Sequence, residues 1–138
     1  MKRRALVVDD DAAIRILVTR VMSRNEYDVD AVRDGGEAIE KLLEHDYDVV
    51  VLDLMMPRID GFHVVKYFLE KQPEKLQNVI VMTAFGGRAF EQVCPPIQRF
   101  IEKPFDIEKL LAEATECIAA NAAVEPPPIE EPPVISPV

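Results

Sequence analysis

The chain predicts an α/β domain built on a parallel five-stranded sheet. Short β-branched and aliphatic runs without polar alternation recur along it: Ala5-Leu6-Val7-Val8, Val49-Val50-Val51-Leu52 and Val79-Ile80-Val81-Met82. Runs of that kind read as strands covered on both faces, the condition of parallel sheets. Helical patterns lie between them, and the alternation of the two is the mark of a repeating βα unit. The runs also end alike. The first meets Asp9-Asp10, the second Asp53 and the third Thr83, while Phe100-Ile101-Glu102 runs into Lys103-Pro104. If the strands are parallel, those ends share one edge, and that edge is where open α/β sheets bind ligands.

Each element has its own warrant. The first strand is expected at about 4–9, and Asp11 stands where it would cap a helix striped by Ile14, Leu17, Val18 and Val21. Residues 28–32 alternate polar and apolar, as an edge strand would. Asp34-Gly35-Gly36 punctuates, and Ala38, Ile39, Leu42 and Leu43 stripe a second helix. The third strand, 47–53, is the most apolar and is expected at the centre of the sheet. Residues 55–61 read as a loop from Pro57 and Gly61. Phe62, Val65 and Leu69 then face inward from a third helix that ends before Pro73. A fourth strand is expected at 78–83 and a fifth at 98–102. Between them, Gly86-Gly87 and Cys94-Pro95-Pro96 leave room for only a short helix. Ile107, Leu110, Leu111, Ala114 and Ile118 give the last helix its apolar face.

The composition, 138 residues with 49% hydrophobic content, fits one folded unit with a real core, assigned to residues 1–120. Residues 121–138 are rich in proline and acid, and read as a disordered, extended tail or linker. Net charge is −9, of which Glu125, Glu130 and Glu131 in the tail supply −3, leaving −6 on the body. That balance argues against a nucleic-acid surface, which needs clustered Lys and Arg. The apolar run after Met1-Lys2-Arg3-Arg4 is too short for a signal peptide, and no stretch is long enough to span a membrane. Cytoplasm is the expected compartment. Cys94 and Cys117, far apart and without CxxC spacing, are expected as reduced thiols, and His45 and His63 as ordinary surface or helix-edge residues.

Four pieces of the chain resemble the receiver domain of two-component response regulators. They are Val7-Val8-Asp9-Asp10-Asp11 with Arg15 behind it, Asp53-Leu54-Met55-Met56-Pro57 with Asp60-Gly61, Thr83-Ala84, and Phe100-Ile101-Glu102-Lys103-Pro104-Phe105. Any one is weak evidence. In order, each ending an expected strand at intervals of 43 (10 to 53), 30 (53 to 83) and 20 (83 to 103), they are specific. The resemblance covers about residues 3–120 and implies a doubly wound flavodoxin-like (βα)5 fold with strand order 2-1-3-4-5.

The same resemblance implies a phosphorylation-activated switch. Asp53 would be the nucleophile that accepts a phosphoryl group from a sensor histidine kinase or phosphotransfer protein. Mg2+ would be held by Asp10, Asp53 and the backbone carbonyl of Met55, with Asp9 often acting through water. Lys103 and Thr83 would meet the phosphoryl oxygens, and the small set suffices because phosphoryl transfer asks mainly for positioning and neutralisation. Thr83 and Phe100 would be the switch pair, with a steric response only, since Phe100 lacks the hydroxyl of the Tyr common at that position. Such a protein is not an enzyme beyond its own phosphoryl transfer and dephosphorylation. Its output would go to a downstream protein target, from a monomer or a weak phosphorylation-dependent dimer.

Taken singly, these residues have plainer readings. Asp11 reads better as a helix cap than as a ligand, Thr83 alone as a strand end, and Lys103 alone as a surface lysine. Met55 and Met56 read as loop packing, and Phe62, Phe68 and Phe105 as core. Two departures from the family pattern stand out. The interval from 83 to 103 is short, with Pro95-Pro96 in place of a small-residue pair, so the face of the fourth helix, fifth strand and fifth helix, which the resemblance implies as the output surface, is left undefined. In the family it resembles, the positions two past Asp53 and Thr83 tune water access to the phosphoryl group, so the bulky apolar Met55 and Phe85 there imply slow self-dephosphorylation; an acyl-phosphate lifetime no longer than that of a Met55→Asn, Phe85→Lys variant counts against it. Among competing functions, a haloacid-dehalogenase-type phosphatase needs a second Asp where Met55 stands. A receiver fold that no longer takes phosphate would not need Asp9, Asp10, Asp53, Thr83 and Lys103 together. A further alternative is a receiver cut from a hybrid kinase or multidomain regulator.

Overall fold

A computed structural model describes residues 3–53, 60–83, 99–102 and 106–124. In chain order these form β1 (Arg3–Val8), α1 (Ala12–Arg24), β2 (Tyr27–Val32), α2 (Gly35–Glu44), β3 (Val49–Asp53) and α3 (Asp60–Lys71). A 3-10 turn (Pro73–Asn78), β4 (Val79–Thr83), β5 (Arg99–Glu102) and α4 (Ile107–Val124) follow. The strands pair in one sheet of order β2-β1-β3-β4-β5, and every pairing is parallel. The expected fold class and strand order are therefore present, with β3 central and β2 at an edge.

The reason for the unalternating runs lies in two cores, one on each sheet face. Leu6, Val8, Val50, Leu52, Val79 and Val81 face α2, α3 and the 3-10 turn, where Leu42, Val64, Phe68 and Leu76 close over them. The strand residues between them, Ala5, Val7, Val49, Val51, Ile80 and Met82, face α1 and α4, against Val18, Met22, Leu110, Ala114 and Cys117. A strand buried on both sides cannot alternate. Each large aliphatic side chain buried this way contributes roughly 1.5–3 kcal/mol.

Side-chain caps set where the helices start. Asp11 accepts from the backbone N–H groups of Ala13 and Ile14 at 2.9 and 3.3 Å. Asp34 accepts from Glu37 at 2.8 Å, and Glu37 in turn accepts from the Arg33 N–H at 3.1 Å. Because Asp34 caps α2, Gly35 and Gly36 form its first turn and are not a separate turn ahead of it. Asp106 accepts from Glu108 at 2.8 Å at the start of α4.

Other boundaries also differ from expectation. Asp60 and Gly61 belong to α3, not to the loop before it. Helix α4 runs past Ala120 to Val124, since Asn121-Ala122-Ala123-Val124 contains no proline and Ala favours helix. The buried arc of each helix is narrower than its apolar stripe: Leu17, Leu43 and Leu69, expected to face inward, are exposed. A helix lying on a flat sheet buries a narrow arc, and residues at its shoulder turn to solvent. The inward positions are Val18 and Met22 on α1, Ala38 and Leu42 on α2, and Val64, Val65 and Phe68 on α3. The short helix expected within 84–96, Cys94 and the segment 125–138 of the tail lie outside the described residues.

Candidate functional site

Register brings the acids together. Val8 pairs with Leu52 across β1 and β3, so Asp9 and Asp53, the next residue in each strand, emerge side by side. Asp53 pairs on its other side with Met82, which places Thr83 one step further out, and Thr83 pairs with Glu102, after which Lys103 follows. The four strand ends therefore share the carboxyl edge of the sheet. Carboxylate oxygens of Asp9, Asp10 and Asp53 lie within 4.8 Å of one another. Asp9 is 0% exposed and Asp53 2%, while Asp10 is open to solvent.

Ionised carboxylates that close repel by roughly 3 kcal/mol per pair at an effective dielectric near 20. A counter-charge in their midst relieves that repulsion. The donor set is all oxygen, with no His or Cys, which fits a hard divalent cation of the Mg2+ or Ca2+ kind.

Described neighbours hold Asp9 through backbone and side chain alike. Its N–H donates to the Val32 carbonyl at 3.2 Å, its carboxylate accepts the Asp11 N–H at 2.9 Å, and its carbonyl accepts from the Arg15 guanidinium at 2.8 Å. Asp11, occupied as the cap of α1, is the helix-capping residue its position suggests and not a member of the acidic group. The bond from Arg15 had no assigned role in the sequence, although Arg15 lies four residues after Asp11, where a helical side chain can fold back toward the preceding strand end.

The remaining site residues are placed in part. Thr83 is fixed by its backbone at the end of β4. Phe100, opposite Val81 on β5, is partly buried and packs with Tyr67 against the core on the α2–α3 face. Met55, Phe85 and Lys103 lie outside the described residues. No helix among the described residues is long and apolar enough to cross a membrane.

Fold and acidic edge together define a class, and comparison with known proteins confirms it. The family model for the response regulator receiver domain matches residues 5–115, and the chain belongs to that family. It is 44% identical over 129 residues to the transcriptional regulatory protein ResD of Bacillus subtilis, covering 85% of this chain and 51% of that one. It is 32% identical over 114 residues to the chemotaxis protein CheY of the same organism, covering 80% of this chain and 93% of that one. Among solved structures, the response regulator TrrA of Thermotoga maritima, determined in complex with Mg2+-BeF, superposes with a TM-score of 0.74 at 30% identity. That match covers 85% of this chain and 99% of the other. The chain spans about half the length of ResD and of the mycobacterial MprA regulators it also matches.

Proposed function

We propose that the chain is a phosphorylation-activated signalling switch in which Asp53 is the phosphoryl acceptor. The observation that carries this reading is the meeting of three carboxylates at the end of the central strand, within 4.8 Å of one another and two of them buried. An Asp53 carboxylate oxygen attacks the phosphorus of a phosphohistidine donor. The new P–O bond gives an acyl phosphate as the P–N bond breaks, and the imidazole leaves with its electron pair and takes up a proton. Asp9, Asp10 and Asp53, with the carbonyl of Met55, would hold Mg2+, which when bound supplies neutralising charge to the phosphoryl oxygens.

The chain's own residues supply the rest. The buried floor formed by Asp9 and Asp53 restricts water, and the capped turn of Asp9-Asp10-Asp11 orients the acids. Lys103 and Thr83 would meet the new oxygens, the first as a point charge and the second as a hydrogen-bond donor. Phe100, already packed at the rim of the core, would follow Thr83. The donor would be a sensor histidine kinase or phosphotransfer protein in the cytoplasm, and the output a protein–protein contact by a monomer or weak dimer. The match to ResD over half its length supports a second setting, in which this receiver governs further domains of a longer regulator.

Incubation with a small phosphodonor and Mg2+, followed by intact-mass measurement, tests the assignment. Wild type gains one phosphoryl group and Asp53→Asn gains none. Equal labelling of the two, or no labelling of wild type, overturns the proposal.

A further inference from the structure

We propose that Arg15 is a positioning residue of the acidic site: by holding the Asp9 carbonyl, it fixes the peptide plane from which Asp10 is presented to a divalent cation. The inference rests on the reading of Asp9, Asp10 and Asp53 as a cation and phosphoryl site. It goes beyond that reading by giving a task to a residue that touches neither cation nor phosphoryl group.

The argument starts from peptide geometry. The carbonyl oxygen of Asp9 and the Cα of Asp10 lie in one rigid plane, so fixing the oxygen fixes the direction in which Asp10 leaves the strand. Arg15 makes that bond at 2.8 Å with a charged donor, which is shorter and stronger than a neutral amide contact. Asp9 is also anchored through its N–H, which lies before that plane, and through its carboxylate, which accepts the Asp11 N–H and so closes a turn around Asp10; the Arg15 bond acts on the carbonyl itself, which neither of these holds. Asp10 is exposed, and among the described residues its side chain has no hydrogen bond of its own. The placement of its carboxylate therefore depends on the backbone behind it. Arg15 is well founded for the task. Its own N–H donates to the Asp11 carbonyl at 2.9 Å, the first turn of a helix capped by the Asp11 side chain. One capped helical turn thus reaches back and locks the strand end from which the acids project.

Charge and position predict opposite results, which makes the proposal decidable. A guanidinium beside the site repels an incoming cation, so removing it on charge grounds alone tightens metal binding. Removing a positioning group from behind a metal ligand weakens binding, typically by about 10–100-fold. Melting temperature recorded against Mg2+ concentration gives the dissociation constant for wild type, Arg15→Met and Arg15→Lys, and the metal-free melt of each reports the fold. The expected result is weakening on the order of tenfold or more in Arg15→Met and recovery of most of it in Arg15→Lys, which keeps a charged N–H donor. If Arg15→Met does not melt cooperatively, Arg15→Gln, with a stem too short to reach the carbonyl, replaces it. Binding in Arg15→Met as tight as wild type or tighter overturns the proposal, as does Arg15→Lys binding as weakly as Arg15→Met. A wild type that responds to no Mg2+ removes the site reading and this inference together, whereas normal wild-type binding with unaffected variants removes only the inference.

Discussion

Tyr47 donates its phenolic hydrogen to the Asp30 carboxylate at 2.6 Å, and Arg4 reaches the same oxygen at 3.3 Å with its guanidinium over the Tyr47 ring. Three elements meet in that contact: β1 through Arg4, the edge strand β2 through Asp30, and the segment entering β3 through Tyr47. The Arg4 N–H also donates to Asp48 at 2.9 Å, so the tie is doubled. Burial pushes the Asp30 carboxyl up, but the hydrogen bonds from Tyr47 and Arg4 outweigh it and leave it below its ordinary value. The Tyr47 hydroxyl is pushed up, by burial and then by its bond to Asp30.

A depressed folded-state carboxyl stabilises the fold above its unfolded value, and the contribution disappears as acid protonates it. Urea denaturation as a function of pH should therefore show stability falling as pH drops below about 5, with a smaller fall in Asp30→Asn. Tyr47→Phe should cost about 1 kcal/mol at neutral pH, since Asp30 is partly solvated and water replaces some of the lost bond. An unchanged acid limb in Asp30→Asn would show that other carboxylates carry it.

The acidic cluster predicts a response to metal. Three carboxylates within 4.8 Å are relieved by a bound dication, so Mg2+ should raise the melting temperature and a chelator should return it. At about ten times the dissociation constant the gain is about 1.4 kcal/mol. Asp53→Asn removes one of the repelling charges and should melt higher than wild type without metal while gaining less from it. Equal Mg2+ responses in the two would place the binding elsewhere.

The sheet and its acidic edge were legible because their signal is local. A run such as Val49-Val50-Val51-Leu52 announces a doubly covered strand whatever packs on it, and the residue after each run inherits its place from strand geometry. Helix faces were less legible. Leu17, Leu43 and Leu69 fit the helical period as well as Val18, Leu42 and Phe68 do, and only the direction from which the sheet approaches separates them. Met22 and Cys117, which complete the core beside α1 and α4, needed that same information. The bond from Arg15 to the Asp9 carbonyl was hidden for a different reason. A side chain bonded to backbone leaves no partner residue type to read.

Glu26 offers a stability test that leaves the site untouched. It follows the α1 cap Asn25 with φ of 73°, the left-handed conformation that glycine adopts without Cβ strain. For an L-residue that conformation costs roughly 1–2 kcal/mol, part of which glycine returns as backbone entropy lost on folding. Glu26→Gly should therefore raise the urea midpoint by a net of about 0.5–1 kcal/mol with an unchanged m-value. Glu26→Val, β-branched in the same conformation, should lower it. A destabilised glycine variant would mean that the Glu26 side chain does more for the turn than its exposure suggests.

Cys117 predicts behaviour at the opposite end of the pH scale. It is 0% exposed on the inward face of α4, with its thiol 3.6 Å from the Gln77 carbonyl. Burial pushes the thiol up to about 11, against the partial relief offered by Arg99. At pH 8 only about a thousandth of it is thiolate, so a disulfide reagent should modify it no faster than the fold opens. In a Cys94→Ala background, labelling should therefore rise with urea in step with unfolding, and prompt labelling in buffer would contradict the buried placement. Because the folded value lies above the unfolded one, the contribution to stability is full below about pH 9 and lost as pH rises toward 11. Cys117→Ala should flatten that alkaline decline while lowering stability at neutral pH, since it leaves a small cavity between α4 and the sheet.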